Sequence, residues 1–147
     1  MGLFAEGKPA DFDFFICKDG YSLLSAAGYS NYYGVKTLKK KSEKVVTNTS
    51  TQGGWLMISG VDLGKQSPSA VELVASSVEK GKLEIWLDDL KNGKLIATIP
   101  VSETGGEMNL KTFSSAVKKV SGHHDVFIKF PTGKEGTIYI KSIRFLK

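Results

Sequence analysis

The chain has 147 residues, 41% hydrophobic and 24% charged, and its 20 basic against 15 acidic side chains give a formal net charge of +5. This length fits one domain with its own core, and apolar residues recur along the whole chain, which excludes intrinsic disorder. No apolar run approaches the roughly 20 residues of a membrane helix. One cysteine and two histidines cannot form an internal disulfide or a four-ligand zinc site, so packing must supply the stability.

The first 13 residues differ from the rest, because Gly, Pro and alternating charges there show no period. We interpret residues 1–13 as the remnant of an inter-domain linker and residues 14–147 as the folded domain. The start has no signal-peptide h-region, which fits either an intracellular protein or a piece cut from a longer chain.

The basic residues are densest in one stretch, which contains Lys36, Lys39, Lys40, Lys41 and Lys44. Such a cluster attracts nucleic acid, anionic lipid or an acidic polysaccharide, or it protects a strand edge from pairing with another chain. The sequence contains no recognition helix or aromatic ribonucleoprotein motif, so we do not expect nucleic-acid binding.

Short apolar runs separated by glycine-containing turns follow along the chain. In the clearest run, residues 82–88, Leu83, Ile85 and Leu87 alternate with polar residues and a tryptophan, which predicts a half-buried strand. Residues 113–120 have a weak helical pattern. Further strands are predicted at residues 55–61, 70–76, 95–101, 125–130 and 137–145. This spacing predicts an all-β fold, an antiparallel β-sandwich or jelly roll.

A tight turn is predicted between two of these strands. Asn92 and Gly93 are flanked by Lys91 and Lys94, and both central residues tolerate the positive φ of a type I′ turn. We therefore expect a hairpin here.

Several aromatic side chains are predicted to lie on the outside of the sandwich. If Leu83, Ile85 and Leu87 point inward, Trp86 points outward beside Glu84. The same alternation turns Trp55, Phe127 and Lys129 outward, unless a bulge changes the register. The residues predicted to point inward are Leu56, Ile58, Val61, Val126, Ile128 and Phe130.

An outward face of this composition suits a sugar. The apolar C–H face of a pyranose stacks on an indole, and its hydroxyls need a carboxylate or an ammonium. Glu84 and Trp86 lie about 7 Å apart along the strand, within reach of one ring. The alternative is that Trp55 and Trp86 are covered by a loop or another domain. Tyr32 and Tyr33, with Tyr29, form a second aromatic cluster that either contacts sugar or caps the core.

Catalysis has little support. Glu84 and Asp88 share a face but lie about 13 Å apart, beyond the spacing of paired glycosidase carboxylates. Cys17 has no activating partner in sequence and is expected to be a small buried hydrophobe.

The order of motifs from Trp55 onwards identifies a resemblance. The segments are GWLMISGVDLG at 54–64, GKLEIWLD at 81–88, LIATIPV at 95–101, TGG at 104–106 and VSGHHDVFIKF at 120–130. Together they resemble the family-6 carbohydrate-binding modules, non-catalytic domains of polysaccharide-degrading enzymes. The resemblance implies a galactose-binding-like β-sandwich, in which residues 122–125 form a structural turn.

The resemblance also implies positions for sugar contacts. In the family's loop-end cleft, Leu38 stands where a glutamate is usual, Glu107 where a tryptophan is usual and Tyr139 where an asparagine is usual. Some members have a second site on a sheet face, and the matching residues, Trp55 and Glu84, are kept here.

The family's structural calcium is not expected in this chain. Cys17 and Lys141 occupy positions where the family has acidic ligands, and a thiol and an ammonium cannot replace the oxygen atoms that Ca²⁺ needs. An ion pair between Asp19 and Lys141 is the hypothesis for its replacement.

These observations predict a non-catalytic module that binds a polysaccharide or oligosaccharide. Its expected site residues are Trp55, Glu84, Trp86, Lys129, Tyr32, Tyr33 and Tyr139, with no catalytic residue and no metal or other cofactor. The expected partner is a glycoside hydrolase domain of the same parent chain, secreted or periplasmic, and the module is expected to be a monomer that binds no nucleic acid and no membrane. The alternative is a degenerate module that packs against a catalytic domain without binding sugar.

Overall fold

The computed structural model describes residues 18–40 and 42–147. They form strands and one short 3₁₀ helix, Ala26–Gly28. The predicted linker, the domain start at residue 14, Cys17 and Lys41 lie outside the described residues. The strands are β1 (Lys18–Asp19), β2 (Leu24–Ser25), β3 (Asn31–Tyr33), β4 (Val35–Lys40), β5 (Glu43–Asn48), β6 (Trp55–Asp62), β7 (Ala70–Ser77), β8 (Gly81–Leu87), β9 (Lys94–Val101), β10 (Lys111–Ala116), β11 (His123–Lys129) and β12 (Ile138–Leu146).

The strands form two sheets that pack face to face. Sheet 1 has the order β1-β6-β11-β8-β9, with β3 also paired to β6. Sheet 2 has the order β10-β7-β12-β5-β4, with β2 also paired to β12. Except for the parallel pair β1 and β6, the pairs are antiparallel. In the described part of the chain, no helix is long and apolar enough to cross a membrane. The predicted antiparallel β-sandwich is confirmed.

The core lies between the two inner faces. Residues from alternate positions fill it, and those predicted to point inward are all buried: Leu56, Ile58, Val61, Leu83, Ile85, Leu87, Val126, Ile128 and Phe130. Gly60 has a φ of 64° at a bulge between β6 and β11, so that Ile58 and Val61 both reach the core. The side chains that alternate with these buried residues therefore point outward.

The weak helical pattern of residues 113–120 does not correspond to a helix. Lys111–Ala116 is instead an edge strand, in which Phe113 pairs with Leu73 of β7. The helical pattern came from Phe113, Val117 and Val120. All three pack against the core, the first from the strand and the other two from the segment after it.

The type I′ turn predicted at Asn92 and Gly93 is wrong. Within residues 88–93 the positive φ belongs to Asp88, at 70°. Gly93 is required because a Cβ there would lie 2.1 Å from the carbonyl oxygens of Leu87 and Asp89. Asp89 accepts hydrogen bonds from the backbone N–H groups of Lys91 and Asn92 at 3.3 and 3.2 Å, which lower the pKa of its carboxyl.

Candidate functional site

The outer face of sheet 1 carries two rows of side chains that run across its strands. One row contains Tyr33, Trp55, Lys129, Glu84 and Thr98. The next contains Asn31, Met57, Phe127, Trp86 and Leu95. Neighbouring strands lie about 4.8 Å apart, so each row is about 19 Å long. We call this surface the sheet face.

Three aromatic side chains form the centre of the sheet face. The ring centroids of Trp55 and Phe127 lie 5.4 Å apart, with their planes tilted by 58°. Trp86 stands directly opposite Phe127 on β8. All three side chains are partly exposed, so their ring surfaces are available for stacking.

The orientation of Trp86 is set by its neighbour on the same strand. Its indole Nε1–H donates a hydrogen bond of 2.9 Å to Glu84 Oε1. This bond holds the ring edge toward Glu84. Among the described residues, the second carboxylate oxygen of Glu84 has no hydrogen-bond partner, and it can accept a hydroxyl proton from a ligand.

The structure divides the predicted tyrosine cluster. Tyr33 pairs with Trp55 and extends the sheet face at its edge, where it is 53% exposed. Tyr32 pairs with Leu56 and points to the other side of the strand, 54% exposed. Its ring lies 5.1 Å from that of Tyr29. Tyr33 therefore belongs with the tryptophans, and Tyr32 does not.

The positions of the loop-end cleft lie on and beside sheet 2. Tyr139 is 7% exposed, and its hydroxyl donates to the carbonyl oxygen of Gly136 at 2.7 Å. It pairs with Ser76, whose hydroxyl donates to the backbone carbonyl of Glu107. Tyr139 thus lies apart from Trp55, Glu84, Trp86 and Lys129, and it offers little ring surface for stacking. Leu38 pairs with Val45 on the neighbouring strand.

The ammonium of Lys141 lies where the resemblance expects a calcium ligand. Its Nζ is 3.0 Å from Glu43 Oε1, so the predicted pairing with Asp19 is wrong. Asp19 Oδ1 instead accepts from the backbone N–H of Tyr21 at 2.9 Å. Within residues 18–40 and 42–147, no three His, Cys, Asp or Glu residues converge on a metal position. These residues do not fit a calcium ion.

The two histidines are the first two residues of β11, directly after the turn at Gly122. His124 Nδ1 lies 2.8 Å from Asp88 Oδ2, and its Nε2 lies 2.7 Å from the carbonyl oxygen of Ser121. Asp125 Oδ1 accepts from the backbone N–H of Gly60 at 3.0 Å. These bonds tie the turn to the strands beside it, which supports the structural role predicted for it.

Thr98 was not predicted from the sequence, and Tyr33 was predicted to be a site residue only within a separate aromatic cluster with Tyr32 and Tyr29. The sequence does not connect Tyr33 with the tryptophans, because β3 has only three residues and shows no period. The position of Thr98 between the apolar residues Ala97 and Ile99 indicates that its side chain points outward. A bulge at the pairing of Trp86 with Leu95 interrupts this alternation along β9.

Comparison with known proteins identifies the family of this chain. Residues 25–147 match the family described as carbohydrate binding module (family 6). An arabinoxylan arabinofuranohydrolase of Bacillus subtilis (strain 168) is 32% identical over 92 residues, which cover 62% of this chain and 18% of that protein. The chain therefore spans about a fifth of the length of this curated relative.

Solved structures show the same fold. A family 6 carbohydrate-binding module from Clostridium cellulolyticum, in complex with xylose, has a TM-score of 0.79 and 28% identity, covering 88% of this chain and 100% of that one. The glycoside hydrolase family 43 arabinoxylan arabinofuranohydrolase of Bacillus subtilis has a TM-score of 0.81 and 24% identity, covering 90% of this chain and 28% of that one. The chain belongs to family 6 of the carbohydrate-binding modules, and it is a non-catalytic carbohydrate-binding module.

Proposed function

We propose that this module binds its glycan on the sheet face. The observation that carries the proposal is the aromatic platform of Trp55, Phe127 and Trp86, with Glu84 hydrogen-bonded beside it. Sugar rings stack on the aromatic surfaces, and Glu84 and Lys129 bind hydroxyl groups. By contrast, the aromatic residue at the loop-end positions, Tyr139, is buried and its hydroxyl already has a partner.

The ligand class that we propose is a polymer of pyranose units, such as a xylan or a β-glucan. The relative from Clostridium cellulolyticum binds xylose, and the two rows of about 19 Å offer room for several consecutive rings. Shallow stacking buries little surface, so the affinity of the isolated module for one glycan chain is expected to be weak.

The proposed biological role is to hold an enzyme on its polymer. We expect a glycoside hydrolase domain in the same parent chain, secreted or periplasmic. Tethering the catalytic domain to the substrate raises its effective concentration without any new chemistry. We also propose that the module is monomeric. We propose that it functions without calcium, since the ammonium of Lys141 stands at one of the expected ligand positions and pairs with Glu43.

Affinity electrophoresis through gels with xylan, β-1,3-glucan or hydroxyethyl cellulose tests the proposed site. We expect retention of the wild-type protein and its loss in Trp86→Ala and Trp55→Ala. Tyr33→Ala and Tyr32→Ala form a matched pair, because both side chains are about equally exposed, at 53% and 54%, on opposite sides of β3. Retention should fall for Tyr33→Ala and stay unchanged for Tyr32→Ala.

Two outcomes would contradict the proposal. If both tryptophan variants are retained like the wild type, the sugar does not bind on the sheet face. If the wild-type protein is retained by no glycan, the alternative of a module that only packs against a catalytic domain is favoured.

A further inference from the structure

A cavity lies at one end of the sheet face, beyond Glu84. It has a volume of about 360 Å³ and is lined by polar and apolar groups of β8, β9, the end of β11 and the residues that follow it. The side chains that matter for its chemistry are Lys82, Lys129, Glu84, Thr98 and Thr132. The cavity therefore borders any sugar ring that is bound beside Glu84 and Lys129.

Two lysines that line the cavity have no side-chain partner among the residues that the structure describes. Lys129 stands opposite Glu84 on the neighbouring strand, and Lys82 precedes Glu84 by two residues on the same face. Within the described ranges, 18–40 and 42–147, neither lysine makes a hydrogen bond or an ion pair. Other lysines do so, as in the contact of Lys134 with Glu79 at 3.1 Å.

The one carboxylate that lines the cavity does not neutralise this charge. Glu84 Oε1 accepts the hydrogen bond of Trp86 Nε1 at 2.9 Å, and no ion pair joins Glu84 to Lys129 or Lys82. Two cations therefore face one anion, and the cavity carries an excess of positive charge. The hydroxyl groups of Thr98 and Thr132 add hydrogen-bond donors at its wall.

We propose that this cavity binds an anionic substituent of the glycan, a uronic acid carboxylate or a sulfate ester, between Lys82 and Lys129. This inference rests on the proposed function, because the aromatic platform must hold the sugar ring that carries the acid group. The anion supplies the partner that both lysines lack, and the threonine hydroxyls donate to its remaining oxygen atoms.

The expected preference is moderate and depends on salt. Each exposed ammonium contributes a small amount to a contact with an oxyanion, so two of them give roughly a 2- to 30-fold preference for the acidic sugar at low ionic strength. This preference falls as salt screens the exposed charges.

Isothermal titration with matched oligosaccharides tests the inference. The probes are laminarihexaose and cellohexaose, each neutral, oxidised to the carboxylate at C6, or sulfated at O6. The variant is Lys82→Gln combined with Lys129→Gln. The control is Lys36→Gln combined with Lys39→Gln, which removes the same charge from exposed lysines on β4 of sheet 2.

We expect the wild-type protein and the control to prefer one or both acidic probes, and the Lys82 and Lys129 variant to bind neutral and acidic probes equally. Preference for the carboxylate alone assigns the cavity to uronic acids, and preference for the sulfate alone assigns it to sulfated sugars. Equal binding of all probes by the wild type, or loss of the preference in the control variant, overturns the inference but leaves stacking on the sheet face intact. Absence of any binding by the wild type, to these probes and to xylohexaose, contradicts the proposed function as well.

Discussion

Replacement of Glu84 by alanine separates the role of this carboxylate in binding from its role in folding. Glu84 accepts the indole proton of Trp86 at 2.9 Å, and its second oxygen, which has no partner among the described residues, can accept from a sugar hydroxyl. The change therefore removes both the anchor of the indole and a charged acceptor for the ligand.

The energies that Glu84→Ala removes follow from the exposure of the Glu84 and Trp86 side chains. Both side chains are partly exposed, so water replaces the lost partner and the indole hydrogen bond accounts for only about 0.5 kcal/mol. A sugar hydroxyl that loses an ionised acceptor accounts for about 1.5 kcal/mol. The second term predicts roughly a 10-fold fall in affinity, whereas the first changes the free energy of unfolding by less than about 1 kcal/mol.

Glycan titration and urea unfolding of Glu84→Ala measure the two quantities. Glu72→Ala is the matched control, because Glu72 accepts from Arg144 at 2.8 Å on sheet 2, away from the sheet face. It should retain full affinity. An affinity of Glu84→Ala within twofold of the wild type would refute the assignment of Glu84 to the site.

Three further results are expected. Gly93→Ala should unfold about 4–8 °C below the wild type in a thermal melt, since its Cβ would lie 2.1 Å from two carbonyl oxygens. Gly28→Ala is the control and should melt like the wild type, because no atom lies within 4 Å of its added Cβ. Equal melting temperatures of the two variants would contradict the account of the β8–β9 connection. The folded-state pKa of Asp89 is lowered, so its stabilising contribution is present above its unfolded pKa of about 4 and is lost as the pH falls through the lower folded value. Thermal melts between pH 5 and pH 2 should therefore show a shallower loss of stability for Asp89→Asn, and parallel curves would argue against this role. Dialysis against a chelator should leave no stoichiometric calcium and should not change the melting temperature, because Lys141 and Glu43 form an ion pair. A rise in the melting temperature when calcium is added would show that a calcium site exists.

The sequence was sufficient for the parts of the fold that depend on alternation. Leu83, Ile85 and Leu87 were predicted to be buried, and their strand therefore places Trp86 outward. Long strands have enough residues for period two to be seen, and the burial of one face makes the register definite.

Other features depend on contacts between distant segments. The three-residue strand that contains Tyr33 is defined by its pairing with β6, not by its own pattern. The bond from Trp86 to Glu84 and the absence of an ion pair at Lys129 depend on side-chain rotamers. The partner of Lys141 is Glu43, 98 residues away in sequence, and no local pattern connects them.

An NMR titration of the two indole N–H signals tests the central claim most directly. The protein contains two tryptophans, Trp55 and Trp86, and both lie on the sheet face, so their side-chain signals report on this surface alone. With xylohexaose or laminarihexaose, we predict that both indole signals shift in proportion to the bound fraction. Stationary indole signals, together with shifts at residues 102–110 and 133–136, would contradict the account and place the sugar at the loop end of the sandwich.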